Sequence, residues 1–457
     1  MSELATENNP LLVAIVGSGP SGFYACEALL KSDLAVKVTM LERLPSPYGL
    51  VRSGVAPDHP KLKQAIQVYA KIAEDENFRL LANVTVGKDI SVAELLDTHH
   101  FVIFANGAES DRKLGIPGED LPGSHTATEF VGWYNGHPDY RETTFDLSHH
   151  TAVIIGQGNV AADVARILSK SVDELRHTDI AEHALDVLSE SKIKEIHVVG
   201  RRGPAQVKFT PKELREFENL ELCQTIIDPA ELILNPESGA ELEDKSNSGQ
   251  RKIYQQLSKL ADIQGPSKAR SCQFTFLKSP SKLLGSERLE RIEFERNALS
   301  GEALSQSARG TGDTFELNAG LLFRSIGYRG VAMPGLPFDN NKGLIPNIEG
   351  RIVENGEHLT GLYVTGWIKR GPTGIIGTNR ADSVATVQSL MEDLKTLDAE
   401  IDKSGADGVC NLLLSRNVRY VSFEEWKKID QSEIDRGQPK EKPREKFTYI
   451  REMLELI

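Results

Sequence analysis

Residues 11–42 read LLVAIVGSGPSGFYACEALLKSDLAVKVTMLE, and this stretch decides the fold. An apolar run at 11–16 ends in a glycine-rich turn, a helical pattern follows at 20–32, and a second apolar run closes the stretch at 36–42. The order of strand, glycine turn, helix and strand is typical of a βαβ unit, in which a crossover helix joins two parallel strands. The stretch therefore predicts an α/β protein with a Rossmann-like dinucleotide-binding unit.

The turn Gly17-Ser18-Gly19-Pro20-Ser21-Gly22 fits the pattern G-x-G-x-x-G. Gly17 permits the tight turn, Gly19 lets the backbone approach a pyrophosphate, and Gly22 lets the helix pack closely on the strand. Glu42 ends the second strand, where a carboxylate can accept hydrogen bonds from both ribose hydroxyls. Because a carboxylate repels a 2′-phosphate, this unit predicts FAD or NAD rather than NADP.

A second unit of the same kind follows later in the chain. The strand TAVII (151–155) leads into Gly156-Gln157-Gly158-Asn159-Val160-Ala161, a helix is predicted at 159–170, and IHVV (196–199) is the next strand. That strand is followed by Arg201 and Arg202, where the first unit has Glu42. Two guanidiniums match a 2′-phosphate. The alternative is a solvated strand end, but the second glycine turn favours NADP.

One chain with an acid-terminated unit and an arginine-terminated unit indicates FAD together with NADP(H). That combination is typical of a flavin oxidoreductase, because flavin accepts two electrons as a hydride and can release them singly. The predicted class is therefore α/β with two Rossmann-like dinucleotide-binding domains.

Composition narrows the functional classes. The chain has 457 residues, enough for two or three domains, and a net charge of −13, which argues against nucleic-acid binding and against an anionic membrane surface. The four cysteines form no C-x-x-C pair, so neither a dithiol centre nor a metal site is predicted. Neither a targeting signal nor a run of about 20 apolar residues is present, and we expect a cytoplasmic protein.

Further elements are predicted with less detail. Strands are expected at FVIFA (101–105), LLFRSIGY (321–328) and GLYVTGW (361–367). The polar stretches 234–250 and 298–313 are interpreted as surface loops, and the charged stretch 431–446 as irregular.

Five blocks carry a resemblance to a known family: VGSGPSGFYA (16–25), ERLPSPYGLVRSGVAPDHPKLK (42–63), GQGNVAADVARIL (156–168), GRRGPAQVKFTPKELRE (200–216) and GWIKRGPTGIIGTNRADS (366–383). The sequence resembles the adrenodoxin-reductase type of ferredoxin–NADP reductase, within the glutathione-reductase-like flavoproteins. The resemblance implies an FAD domain built from 1–108 and 331–457, the latter with a C-terminal extension, and an NADP domain inserted at 109–330.

The resemblance also implies an activity and partners. NADPH would pass a hydride to FAD, and single electrons would then pass to a ferredoxin-like iron–sulfur protein, with the reverse direction possible. The partner is expected to be acidic and transient, and the chain to be a monomer or weak dimer. Basic residues could form the docking surface. The candidates are Lys208, Lys212, Arg215, Arg251, Lys252, Lys369 and Arg370.

Site residues follow from the same resemblance. The implied FAD contacts are Ser21, Glu42, Leu50 and Val86, with Trp367 and Gly374-Ile375-Ile376 at the isoalloxazine. The implied NADP contacts are Gly156 to Asn159, Arg201, Arg202, Glu213 and the Gly374 loop. The resemblance places His59 near the flavin, where it could relay a proton with Glu216 as its partner. Asp163 lies four residues after Asn159 on one helix face, and is either a polar group near the nicotinamide or a solvated residue.

Two rival interpretations stay open. One is another NADPH-dependent flavin reductase, such as a glutamate synthase small subunit or a thioredoxin-reductase-like protein. The former usually has cysteine-rich cluster ligands and the latter needs a C-x-x-C pair, and this sequence has neither. The other is a flavoprotein that binds nucleotides as a regulatory or electron-bifurcating subunit.

Overall fold

The computed structural model describes residues 4–263, 266–374, 376–395 and 403–457. Its strands, in chain order, are β1 (Leu11–Val16), β2 (Val36–Glu42), β3 (Phe78–Ala82), β4 (Phe101–Phe104), β5 (Ser110–Asp111), β6 (Ser124–Thr126), β7 (Thr151–Ile155), β8 (Glu195–Val199), β9 (Cys223–Ile227), β10 (Arg270–Thr275), β11 (Lys278–Leu284), β12 (Arg291–Ser300), β13 (Ser307–Asn318), β14 (Leu321–Arg324), β15 (Tyr328–Arg329), β16 (Asn347–Ile348), β17 (Arg351–Glu354) and β18 (Glu357–Val364).

The helices of the described residues are α1 (Pro20–Leu30), α2 (Gly49–Ser53), α3 (Pro60–Lys63), α4 (Ala65–Ala73), α5 (Val92–Thr98), α6 (Ala127–Tyr134), α7 (Asn159–Ser169), α8 (Val172–Leu175), α9 (Glu182–Ser189), α10 (Pro211–Arg215), α11 (Pro236–Glu243), α12 (Ser248–Ala261), α13 (Trp367–Arg370), α14 (Thr378–Leu394), α15 (Gly405–Ser415), α16 (Phe423–Gly437) and α17 (Ile450–Leu454). Within these ranges no helix combines the length and the apolar character that crossing a membrane requires.

The first sheet takes its strands from both ends of the chain. Over the described residues its order is β16-β17-β18-β4-β1-β2-β3, and β18, β4, β1, β2 and β3 run parallel. Apolar side chains fill both faces of this sheet. Because parallel strands end at one edge, this sheet brings the first glycine turn, the end of β2 and the end of β18 together.

The second sheet is built from the middle of the chain. In the described residues its order is β6-β14-β7-β8-β10-β9, and all its pairings are parallel. An antiparallel sheet of β11, β12 and β13 is inserted between β10 and β14. The predicted α/β class with two Rossmann-like units is confirmed.

The chain passes between the two sheets at a two-stranded pairing of β5 with β15. These strands, Ser110–Asp111 and Tyr328–Arg329, lie close to the two ends of the predicted NADP domain, 109–330. The domain boundaries at 108/109 and 330/331 stay a prediction that this topology supports.

Four sequence predictions about loops and strands are wrong in whole or in part. Residues 234–250 contain α11 and the start of α12, because Asn235 accepts from the Ser238 amide and Pro236 opens the helix. Residues 298–313 belong largely to the β12–β13 hairpin. The stretch 321–328 is a strand only to Arg324, and the strand predicted at 361–367 ends at Val364.

The charged stretch 431–446 is also more ordered than predicted. Helix α16 continues to Gly437, after a capping box formed by Ser422 and Glu425. Glu433 is fully buried and accepts hydrogen bonds from Arg52. Lys446 is buried as well and lies 2.9 Å from Asp179 of the middle region. Ion pairing therefore lets this charged segment pack against both the first part of the chain and the inserted part.

Candidate nucleotide-binding and active site

In the first glycine turn, two glycines pack closely against the backbone and the third faces open space. Gly17 has a φ of +105°, and a Cβ built there would lie 2.6 Å from the carbonyl oxygen of Ala105. A Cβ on Gly22 would lie 2.1 Å from the carbonyl oxygen of Gly17. Gly19 has no atom within 4 Å of its Cβ position, and its φ of −77° does not require glycine. The open space at the amino end of α1 fits a pyrophosphate, which needs close approach to backbone N–H groups.

Glu42 is held firmly at the end of β2. Its Oε2 accepts from the Ser18 amide at 3.1 Å and from the Ser18 hydroxyl at 2.6 Å, and its Oε1 accepts from the Leu44 amide at 3.0 Å. A carboxylate has about four lone-pair sites and these bonds use three of them, so a ribose hydroxyl can still donate to Oε1. The carboxylate thus has both a structural role and the chemistry that FAD requires.

Two buried polar atoms near this turn support the same fit. The Trp367 indole nitrogen and the Asn106 side-chain oxygen are buried and have no hydrogen-bond partner within the described chain. Trp367 begins α13, directly after Gly366, whose Cβ position lies 2.2 Å from the Ser21 hydroxyl. Buried polar groups are normally paired, so these atoms are consistent with a polar cofactor beside them.

The other predicted FAD residues are placed as follows. Leu50 lies on α2 and is partly exposed, and Val86 is buried after β3. Gly374 has a φ of +86° in the loop before α14, and Ile376 packs partly buried against the core of the first sheet. Ile375 lies outside the described residues. The glycine-rich loop does precede a helix, as the sequence predicts.

The second glycine turn repeats the division seen in the first. A Cβ on Gly156, whose φ is +129°, would lie 2.0 Å from the Ser325 carbonyl oxygen, whereas Gly158 again faces open space. The Gln157 side chain donates to the Thr275 carbonyl at 2.8 Å, and the Asn159 side chain accepts from the Thr210 amide at 2.8 Å. These two side chains hold neighbouring segments, so their contact with a nucleotide would come from the backbone.

Arg201 and Arg202 follow β8 at the carboxyl edge of the second sheet. Arg201 is exposed and Arg202 is partly buried. Burial and the neighbouring charge of Arg201 lower the pKa of Arg202, whereas Glu241 opposes that shift. Among the described residues neither guanidinium has a hydrogen bond or an ion pair, which leaves two adjacent cations for an anionic ligand.

His59 lies in a buried cluster that joins the two units. Its Nε2 is 2.9 and 3.0 Å from the two carboxylate oxygens of Glu216 and 3.6 Å from Glu213, and its Nδ1 is 3.9 Å from Asp163. The structure therefore brings together the predicted catalytic residues His59, Asp163 and Glu216, with Glu213 beside them. Asp163 is not a solvated helical residue, because its side chain is only 13% exposed.

Opposite charges set the protonation of this cluster. Burial lowers the pKa of His59, but the hydrogen bond to Glu216 and the charges of Asp163 and Glu213 outweigh it and raise that pKa overall. Burial raises the pKa of Glu216, but the His59 hydrogen bond and the Arg166 charge outweigh it and lower that pKa overall. Both shifts favour a charged imidazolium–carboxylate pair.

Sequence reasoning missed Arg166 and Asp58. The Arg166 side chain is fully buried on α7, and its Nε and Nη2 lie 2.7 and 2.9 Å from the two oxygens of Asp58. A charged residue among Val164, Ile167 and Leu168 on a predicted helix is a signal that could have found it. Asp58, which directly precedes His59, carries no comparable local signal.

His59, Glu213 and Glu216 also have a spacing that could hold a metal ion, since their ligand atoms lie within 4.8 Å of one another. Arg166 already supplies a cation there, 3.2 Å from Glu216 and 3.5 Å from Glu213. The clustering of His59, Glu213 and Glu216 is therefore explained by the positive charge of Arg166.

Comparisons with known proteins agree with this arrangement. Residues 11–217 match the model of the pyridine nucleotide-disulphide oxidoreductase family. The chain is 46% identical to NADPH-ferredoxin reductase FprA of Mycobacterium tuberculosis, over 98% of this chain and 99% of the relative. It is 43% identical to the mitochondrial NADPH:adrenodoxin oxidoreductase of Arabidopsis thaliana, over 98% and 96% of the two chains.

A solved structure extends the likeness to the fold. The structure of Mycobacterium tuberculosis FprA in complex with NADPH superimposes with a TM-score of 0.91 at 46% identity, and covers 97% of this chain and 98% of the other. The resemblance drawn from the sequence motifs is confirmed, and the chain belongs to the family of adrenodoxin reductases and FprA-type NADPH–ferredoxin reductases.

Proposed function

We propose that this protein is an FAD-dependent ferredoxin–NADP⁺ reductase that moves electrons between NADPH and a ferredoxin-type iron–sulfur protein. The observation that carries the proposal is the opposite charge at corresponding strand ends, Glu42 in the first unit and Arg201-Arg202 in the second, on one chain. Bound FAD would supply the chemistry that converts a hydride from NADPH into single electrons for the partner.

The residues divide between the two nucleotides. Gly19 and Glu42 would hold the pyrophosphate and ribose of FAD, with Ser21, Leu50 and Val86 as further contacts. Gly158, Arg201 and Arg202 would hold NADPH. Trp367 and the Gly374 loop would lie at the isoalloxazine, where backbone N–H groups at a helix start stabilise negative charge.

His59 and Glu216 would tune this site rather than accept the hydride. A charged imidazolium beside the reaction centre would favour negative charge nearby, and the pair could exchange a proton with bulk solvent through the partly exposed Glu216. Hydride transfer needs no general base, so these residues are assigned tuning or proton relay.

The proposed partner is an acidic ferredoxin that binds transiently. Four of the basic candidates are exposed and form no ion pair within the described residues: Lys208, Lys212, Arg215 and Lys252. Lys369 and Arg370 are weaker candidates because both lie beside Asp382, at 3.0 and 3.8 Å. The Arg251 guanidinium donates to backbone carbonyls of Leu242 and Glu243. A monomer or weak dimer and a cytoplasmic location stay predictions from the sequence.

Reconstitution tests the proposal directly. The flavin-loaded protein, NADPH and a purified [2Fe–2S] ferredoxin are mixed without oxygen, and reduction of the cluster is followed by its absorbance and electron paramagnetic resonance signal. We expect catalytic reduction that requires FAD and is much slower with NADH. Reduction of a small artificial acceptor without reduction of any ferredoxin offered would contradict the assignment of the partner. A failure to oxidise NADPH at all would favour a regulatory flavoprotein.

A further inference from the structure

The side chain of Arg166 touches every carboxylate around His59. Its Nη2 lies 2.7 Å from Asp163, its Nε lies 3.2 Å from Glu216, and its Nη1 lies 3.5 Å from Glu213. The same guanidinium binds Asp58 through two atoms. One buried cation therefore contacts both Glu216, the hydrogen-bond partner of His59, and Asp58, the residue directly before His59 in the chain.

These contacts cross between the two nucleotide-binding units. Asp58 and His59 lie in the turn before α3, which belongs to the part of the chain that builds the first sheet. Arg166 lies on α7, the helix that begins at the second glycine turn. Because a forked guanidinium–carboxylate pair has fixed geometry, this contact ties the turn that carries His59 to that helix.

We propose that Arg166 is a positioning residue for hydride transfer. It fixes the two nucleotide-binding units relative to each other and holds the His59–Glu216 pair in a fixed orientation. The proposal rests on the function proposed above. It assigns Arg166 no contact with either nucleotide, and it separates two roles of the guanidinium: its charge and its forked shape.

The charge has a predictable effect on His59. The charged groups that act directly on this histidine are Asp163, Arg166, Glu213 and Glu216. Next to these groups, Lys170 pairs with Asp58, and the Tyr134 hydroxyl responds to the charges of Asp58, Asp163 and Arg166. Removing one positive charge from such a set raises the proton affinity of every neighbour. The Arg166 charge also lowers the pKa of His59, so its loss should move that pKa further up.

The test compares Arg166→Lys with Arg166→Met in the flavin-loaded protein. The His59 titration is read from histidine NMR signals, identified by their loss in His59→Asn. In Arg166→Met we expect the His59 pKa to rise. In Arg166→Lys we expect it to stay near the wild-type value, since the charge is kept. The limiting rate of flavin reduction by NADPH should fall about 10- to 100-fold in both variants. Neither a lysine nor a methionine side chain can bind both oxygens of Asp58 and contact Glu216 at the same time.

Arg351→Met is the matched control. Arg351 makes the same forked pair with Asp393, at 2.7 and 2.9 Å, on β17, which lies beside the edge strand β16 of the first sheet and away from both glycine turns. We expect this variant to lose thermal stability without moving the His59 titration or the limiting rate. Where Arg166→Met fails to fold, Arg166→Lys and Asp58→Asn still report on the fork.

The outcomes separate this inference from the proposed function. An unchanged limiting rate in both Arg166 variants overturns the positioning role. A lower rate that only follows lower flavin content or weaker NADPH binding, with an unmoved titration in Arg166→Met, also overturns it, because the residue is then merely structural. If the wild-type protein never oxidises NADPH, the proposed function fails, while the rise of the His59 pKa in Arg166→Met still tests the electrostatic contact.

Discussion

The turn at Gly17–Gly22 and the turn at Gly156–Ala161 use glycine in the same two ways. In each, the first glycine has a positive φ and leaves its Cβ position 2.6 or 2.0 Å from a carbonyl oxygen, and the second faces open space. The turns differ at the end of the next strand. Glu42 accepts three hydrogen bonds from its own chain, whereas the guanidiniums of Arg201 and Arg202 form none within the described residues.

This difference separates packing from ligand choice. The first glycine of each turn is required by the neighbouring backbone, so it would be needed with either nucleotide. The close approach of the first glycine to the backbone does not need a particular charge at the strand end, so that charge can differ between the two units and select the nucleotide. Glu42 combines the two roles and the arginines have only one, so substitutions at the two places should have effects of different size and kind.

The largest effect is expected from Glu42→Arg. The substitution removes the acceptor for a ribose hydroxyl, a charge-assisted bond of about 1.5–3 kcal/mol, and it also breaks the bonds to Ser18 and places a cation there. FAD affinity should therefore fall by about 100-fold or more. The ratio of flavin to protein absorbance measures the loss. Glu74→Arg, at an exposed glutamate, changes the net charge equally and should keep its flavin. A normal flavin content in Glu42→Arg would show that this carboxylate does not bind the cofactor.

The next effect concerns the arginines. Arg201→Ala or Arg202→Ala should each weaken NADPH by about 10- to 100-fold, since each removes a charge-assisted hydrogen bond of about 1.5–3 kcal/mol. The loss should fall on KM, because binding of the adenosine end is uniform between ground and transition states. Kinetics with NADH should change little, and flavin content should be kept. Equal losses for NADPH and NADH would mean that the arginines position the unit rather than bind the 2′-phosphate.

A smaller effect should separate the two kinds of glycine. Gly158→Ala adds a methyl group to open space, so the fold should be kept while NADPH and NADH both bind about tenfold more weakly, as for one lost phosphate contact of about 1.4 kcal/mol. Gly156→Ala should instead lower the melting temperature, since its methyl group meets Ser325. Gly239→Ala, in helix α11 with open space around it, is the control for the added methyl. Unimpaired nucleotide binding in Gly158→Ala would contradict the assignment of this turn to a pyrophosphate.

The smallest effect is a pH dependence confined to the second unit. A phosphate monoester has a second pKa of about 6, so its charge falls from −2 towards −1 as pH drops from 7 to 5. NADPH should then bind a few-fold more weakly to Arg201 and Arg202, while NADH, which lacks the 2′-phosphate, serves as the control. The lowered pKa values of Asp58 and Glu216 keep these carboxylates ionised over the range. Parallel pH profiles for NADPH and NADH would place the titrating group elsewhere.

Local sequence patterns predicted the strands and turns that build the two nucleotide sites. They did not predict features that depend on contacts between residues far apart in the chain. The strands at 36–42 and 151–155 have the predicted bounds, because a short, largely apolar run is a local signal. The polar stretch 234–250 contains α11 and the start of α12 rather than the predicted loop. Glu241 of α11 accepts a hydrogen bond from the distant Gln206 side chain, and polar composition alone does not exclude a helix.

The sequence by itself determined the two βαβ units, the order in which they occur and the charge that each presents to a nucleotide, because each of these depends on residues close together in the chain. Only the tertiary structure decided how His59 is surrounded. Its partner Glu216 is 157 residues away and the Arg166–Asp58 pair spans 108 residues, so no periodicity or motif spacing links them. The same holds for the burial of Glu433 and Lys446 in the charged C-terminal segment. A buried charge is stable only beside its partners, and those partners come together only when the two units pack.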